Sequence, residues 1–171
     1  VMHQDYDGYT GEAFSVGERS PLAKINPAAA ARMAIAESLT NLVSADCDSL
    51  DRIVFSANWM AASGSNIEDQ ALFDSVKAIG EDLCPQLGMA IPVGKDSLSM
   101  RTTWREEEKE KSVLSPVSLI ASAFAPVKDV RLTTTPVLQD REGTVLVLLS
   151  LGGQRLGGSA LAQVYGQLGD D

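Results

Sequence analysis

Glu37 and Asn41 stand four positions apart in an alanine-rich stretch of the chain. On a helix that spacing projects both side chains from nearly the same face. A carboxylate and an amide oxygen so placed can share a hard cation such as Mg²⁺, which takes oxygen ligands and keeps positions free for phosphates. Glu/Asn pairs at this spacing are also ordinary surface features. A second group, Gly94-Lys95-Asp96-Ser97, follows a short apolar run and reads as a loop with flexible backbone N–H groups, an ammonium and a hydroxyl. These groups suit a phosphate or a developing phosphoryl charge, and an unremarkable strand–turn–strand connection accounts for them equally well. The P-loop pattern fails here: Met89 stands where a glycine is required, Asp96 replaces the Ser/Thr, and a strand rather than a helix is expected next. Asn58, at the end of an expected strand, is a candidate ligand contact, while Trp59 and Met60 beside it read equally as core. Gly157-Gly158-Ser159 before a helix could receive a phosphate or serve as a packing hinge. The one histidine, His3, lies in the polar N-terminal stretch, and nothing resembles a nucleophilic triad or a Cys/His metal cluster.

The elements that must position these residues can be read from caps and periodicity. Asn26 suits an N-cap and Pro27 the first helical position, so a helix is expected over 27–45, with Met33, Leu39 and Leu42 turned to a core. A short strand is expected over 52–55. A second helix should begin after Asn66, with Glu68 and Asp69 at its positive end and Leu72, Val76, Ile79 and Leu83 at helical spacing. Cys84-Pro85 should disturb its last turn and Gly88 end it. Strands are expected over 89–93 and 98–104, with the charged run 106–111 as a solvated hairpin tip. Residues 116–125 and 144–151 are apolar and β-branched enough for buried strands, joined by a loop over 133–143. Residues 1–25 read as an irregular opening segment, and a new helix is expected over 160–168 after the glycines at 152–153 and 157–158. This order describes an α/β (α+β) domain over 1–151: a mixed or antiparallel sheet of four to five strands, with two main helices on one face. Its other face needs a cover, which a partner sheet could supply. Residues 152–171 read as a glycine-rich hinge and the start of a helix leading into another domain.

Composition narrows the class. The chain has 171 residues, 44% of them hydrophobic and 22% charged, which describes a globular domain with a real core. A net charge of −9 without a clustered basic patch argues against nucleic acid as a partner. No apolar run approaches a membrane span and no signal pattern opens the chain. Cys47 and Cys84 lack metal-ligand spacing and read as reduced, partly buried thiols of a cytoplasmic protein, with one disulfide between them as the alternative. The start at Val1 and the ending Asp170-Asp171 suggest a piece of a longer polypeptide.

Six stretches decide a resemblance. They are residues 11–19 (GEAFSVGER), 36–42 (AESLTNL), 56–60 (SANWM), 92–100 (PVGKDSLSM), 115–125 (SPVSLIASAFA) and 156–163 (LGGSALAQ). In order and spacing they resemble the second synthetase half of the large formylglycinamide ribonucleotide amidotransferases (phosphoribosylformylglycinamidine synthases). The resemblance covers nearly the whole chain, and 94–100 is its most specific part. It implies an N-terminal-type domain of the aminoimidazole ribonucleotide synthetase superfamily, one half of a pair that forms a β-barrel. The family reaction is ATP- and glutamine-dependent. ATP activates the formamide oxygen of formylglycinamide ribonucleotide as an iminophosphate, and ammonia from a separate glutaminase domain displaces phosphate to give the amidine in de novo purine synthesis. By the same resemblance, Glu37 and Asn41 look like Mg²⁺ ligands of an auxiliary nucleotide site that holds ADP. Gly94, Lys95 and Ser97 look like a loop reaching nucleotide and substrate across the paired halves, and Asn58 like a nucleotide contact. Related small enzymes carry Asn at the position of Lys95, and an ammonium repels Mg²⁺. Further metal carboxylates, the first synthetase half and the glutaminase domain are expected outside this chain. The chain alone is therefore expected to be inactive and to self-associate through its open sheet, with ADP as a structural prop as the alternative reading.

Overall fold

The computed structural model describes residues 1–153 and 155–169; Gln154, Asp170 and Asp171, within the stretch expected as hinge and helix, lie outside the described residues. The chain folds around a five-stranded mixed sheet. β1 (Met2–His3) pairs antiparallel with the start of β2 (Gly11–Glu18), which leads into a single helical turn, α1 (Ser20–Ala23). α2 (Pro27–Leu42) begins as its residues require: the Asn26 side chain accepts from the Ala29 N–H at 2.9 Å, and Pro27 needs no amide partner at the first turn.

β3 (Val54–Met60) follows, then α3 (Asn66–Lys77), whose axis continues through a π-helical segment (Ala78–Leu83) into α4 (Cys84–Leu87). Pro85 explains the widening, because it has no N–H to offer a carbonyl one turn back and its ring would clash there. Gly88 closes the helix in the left-handed conformation, φ 66°. β4 (Val93–Ser97) returns to the sheet. β5 (Arg101–Glu106) and β6 (Lys109–Leu114) form a separate, exposed hairpin, turned by Glu107 and Glu108 at positive φ. β7 (Ser118–Val127) re-enters between β2 and β3, giving the order β1-β2-β7-β3-β4, in which only β3 and β4 run parallel. The last described helix is α5 (Ala160–Val164).

Alternation sorts the sheet into two faces. Ala13, Phe55, Ala57, Leu119, Ala121 and Ala123 pack beneath Ala31, Ala34 and Ile35 of α2 and Ile79 of the π segment in one core. The opposite face stays open and exposes Phe14, Val16, Val54 and Phe124, with the two phenylalanine rings stacked at 5.7 Å. The two-layer architecture is the one expected, open face included.

Several local expectations fail. Residues 1–25 are not irregular, since they contain β2, a principal strand. Its Gly17 is required because an added Cβ would lie 2.0 Å from the Ala34 carbonyl oxygen of α2. The expected strand over 144–151 is absent, and Val145 to Leu149 and Leu151 are exposed. An apolar run becomes a strand only against neighbours that take its hydrogen bonds, and no described segment lies beside it. The strand expected over 52–55 runs instead through Met60, so Asn58 lies within it. The strand expected over 89–93 begins only at Val93 and takes in Gly94 to Ser97, which are therefore not a loop. Met33 and Val76 face solvent, while Ala34, Ala71 and Ser75 take the inward positions.

Candidate functional site

The residues with chemical potential fall into two groups at opposite edges of the sheet. The first lies where β3 and β4 run parallel, with Asn58 in register with Lys95 and Met60 with Ser97. Phe55 and Ala57 point into the core, so Ser56, Asn58 and Met60 point to the open face, and their partners Val93, Lys95 and Ser97 point with them. Gly94 and Asp96 project the other way. Lys95 Nζ donates to Ser97 Oγ at 2.5 Å and to the Asp96 carbonyl at 3.1 Å. Asn58 Oδ1 is buried without a hydrogen-bond partner. A buried acceptor left unmade costs about 1–3 kcal/mol, so this oxygen is set to receive a donor. Gly94 has no contact that would forbid a side chain and no left-handed φ. Its amide belongs to an extended ladder strand, which corrects its reading as a flexible loop donor.

The second group lies on the outer edge of β2, which β1 covers only at Gly11 and Glu12. Edge strands present unpaired backbone groups. Here α2 supplies their partners: Asn41 Nδ2 donates to the Val16 carbonyl at 3.0 Å, and the Glu18 N–H donates to Glu37 Oε2 at 2.8 Å. The second Glu37 oxygen, Oε1, pairs with Arg19 Nη2 at 2.9 Å. The helical spacing that sequence supplied is thus used to latch a helix onto residues two apart along a strand.

Glu18 and Asn58 are both in register with Ile120, so the two groups share one transverse row of the sheet. Three strand spacings separate β2 from β4, about 14 Å. Asn58, Lys95 and Ser97 therefore come together, Glu37 and Asn41 come together, and neither group touches the other. Sequence reasoning missed Arg19. The ion pair joins the end of a strand to a distant helix turn, and no local spacing reveals it.

Toward a divalent cation the Glu37/Asn41 pair offers one carboxylate and one amide oxygen. The carboxylate already attracts a cation, the Arg19 guanidinium, and the bond from Asn41 Nδ2 leaves the amide oxygen out of it. Among the described residues no group of three or more His, Cys, Asp or Glu side chains gathers around a common point, so additional oxygens would be needed. Nucleophilic chemistry finds no support: Cys47 and Cys84 are free, and burial raises both thiol pKa values, which disfavours the reactive thiolate. No described helix is long and apolar enough to cross a membrane.

Residues 1–126 match the FGAR-AT PurM_N-like domain. The chain belongs to that family. The matched span ends at the last strand of the sheet, and so takes in both groups of candidate residues. Among solved structures, the fold resembles that of PurLQS from Thermotoga maritima, at 20% identity over 74% of this chain and 19% of that one, with a TM-score of 0.52. Phosphoribosylformylglycinamidine synthase II of the same organism is similar at 17% identity, over 78% of this chain and 20% of that one, with a TM-score of 0.55. T. maritima PurL complexed with ATP is similar at 18% identity, over 72% and 19%, with a TM-score of 0.51. At these identities the likeness is one of fold, and the chain spans about a fifth of each of those proteins.

Proposed function

We propose that this chain is one domain of a cytoplasmic ATP- and glutamine-dependent ligase that converts formylglycinamide ribonucleotide to formylglycinamidine ribonucleotide in purine biosynthesis. Within that enzyme it forms one wall of a nucleotide cleft. The observation that carries this reading is the gathering of Asn58, Lys95 and Ser97 on one open face, with the Asn58 oxygen buried and unpartnered. Family membership over residues 1–126 and the ATP complex of T. maritima PurL support it.

In this reading Lys95 releases Ser97 and turns its ammonium to a phosphate, while Ser97 Oγ donates beside it. Asn58 Oδ1 accepts from a ligand N–H or O–H, a role a phosphate oxygen could not fill. Glu37 and Asn41, at the other edge of the sheet, hold part of the shell of a Mg²⁺ ion at a separate, auxiliary nucleotide site, where the ion when bound would offset phosphate charge. The remaining ligands and the facing wall come from other domains, reached through the hinge at 152–171. The exposed sheet face is where a related half docks, and in the isolated chain a second copy takes that place.

Two expected results test the reading. Supplied with ATP, ammonia and formylglycinamide ribonucleotide, the chain alone forms no amidine product; turnover detected by chromatography would contradict the missing-wall argument. In calorimetric titration with Mg-ADP, Lys95→Ala weakens binding by about tenfold, the worth of one charge-assisted hydrogen bond. A second reading, ADP as a structural prop at the α2 edge, is favoured by the engagement of Glu37 and Asn41 in holding α2 to β2. It requires Glu37→Ala to lose Mg-ADP while Lys95→Ala keeps it. If neither substitution changes the titration, both sites are wrong.

A further inference from the structure

The geometry points to Arg19 as a tethered counter-cation that occupies the Glu37 carboxylate until a divalent cation displaces it. This rests on the reading of Glu37 and Asn41 as a partial cation shell.

The Glu37 carboxylate has two engagements of different kinds. Oε2 is fixed by the Glu18 backbone N–H at 2.8 Å, a bond that holds the carboxylate at the strand edge whatever cation is present. Oε1 is taken by the Arg19 side chain at 2.9 Å. The Arg19 side chain keeps 46% of its exposure, against 27% for Glu37, so the guanidinium can swing into solvent while its backbone stays put at the turn from β2 into α1. The neighbouring Glu18 carboxylate is turned to Ser20, whose Oγ donates to its Oε1 at 2.8 Å. Asn41 is held by its nitrogen on the Val16 carbonyl. Both cation ligands are thus oriented by backbone of β2, and the one contact that must break on metal entry is the ion pair.

Arg19 therefore does two things. It neutralises Glu37 when no metal is present, keeping α2 latched to β2, and it lowers metal affinity by the strength of a partly exposed ion pair. Two cations cannot share Oε1 at close range without repulsion.

The test is Mn²⁺ alone, followed by water-proton relaxation, on the chain and its variants Arg19→Gln, Arg19→Lys and Glu37→Gln, each first checked for native circular dichroism. Arg19→Gln is expected to bind Mn²⁺ about two- to fivefold more tightly than the unaltered chain, the span an exposed ion pair can oppose. Arg19→Lys, which keeps the charge, stays near the unaltered affinity, and Glu37→Gln loses the site. If Arg19→Gln binds no more tightly while Glu37→Gln still loses binding, the metal site stands and the competition is refuted. An Arg19→Lys variant as tight as Arg19→Gln also refutes it. If no Mn²⁺ binding depends on Glu37, the metal reading and this inference fall together.

Discussion

Replacing Gly17 with alanine is expected to lower stability by about 3 kcal/mol, at the upper end of what overpacking usually costs. The new Cβ would lie 2.0 Å from the Ala34 carbonyl oxygen and 2.6 Å from the Ser38 amide nitrogen. Both are backbone atoms inside a 16-residue helix, so no side-chain rotation relieves the contact. Relief requires α2 to move off β2. That motion strains the neighbouring bonds from Asn41 to Val16 and from Glu18 to Glu37, which are the ones that position the candidate cation ligands. Urea denaturation should show the loss, and amide exchange at Glu18 should quicken beyond the change at β4. A loss under about 1 kcal/mol would mean that the helix does not approach the strand as closely as described.

The same glycine marks the limit of what sequence could reveal. Gly17 reads locally as a breaker, and Gly11 with it, so the segment containing β2 looks irregular; the reason for glycine at 17 is α2, whose Ala34 and Ser38 arrive about twenty residues later in the chain. α2 was legible because its signals are local, in the Asn26 cap and Pro27. So was the stop at Gly88. β7 was legible from its apolar run, whereas the equally apolar 144–151 misled, because burial is a property of neighbours and periodicity is silent about them. At the candidate site the residue types were legible and their settings were not. Lys95 and Ser97 suggested a loop because glycine precedes them, but parallel pairing with β3 across some forty residues makes them strand residues on one face. Glu37 and Asn41 were legible as one helix face. What that face touches, Val16, Glu18 and Arg19, depends on the strand that was missed.

Phe55→Ala is expected to cost still more, about 4–5 kcal/mol, and to take the candidate site with it. Phe55 is 1% exposed at the middle of the sheet and is the bulkiest of the fully buried side chains. Deleting a buried aromatic ring usually costs about 3–5 kcal/mol, rising with the cavity that remains. The upper end applies because much of its core cluster is alanine: Ala31, Ala34, Ala57, Ala121 and Ala123 have no flexible side chain with which to fill the space, which leaves that to Ile35, Ile79, Leu119 and Met89. Collapse would instead require α2 or the π segment to sink toward the sheet, and the backbone contact at Gly17 leaves α2 no room to do so. Since domains of this kind hold about 5–15 kcal/mol in total, the variant should lose between about a third and nearly all of its stability. Asn58 is three residues along the same strand and Lys95 pairs with it, so any Mg-ADP binding that depends on Lys95 should fade with the fold. Phe55→Leu separates the two effects: it keeps most of the volume, should cost about 1–2 kcal/mol, and should leave binding intact. Thermal unfolding beside calorimetry checks both. A folded Phe55→Ala variant with stability within about 1.5 kcal/mol of the unaltered chain would mean that the alanine-rich layer is more pliable than its packing implies.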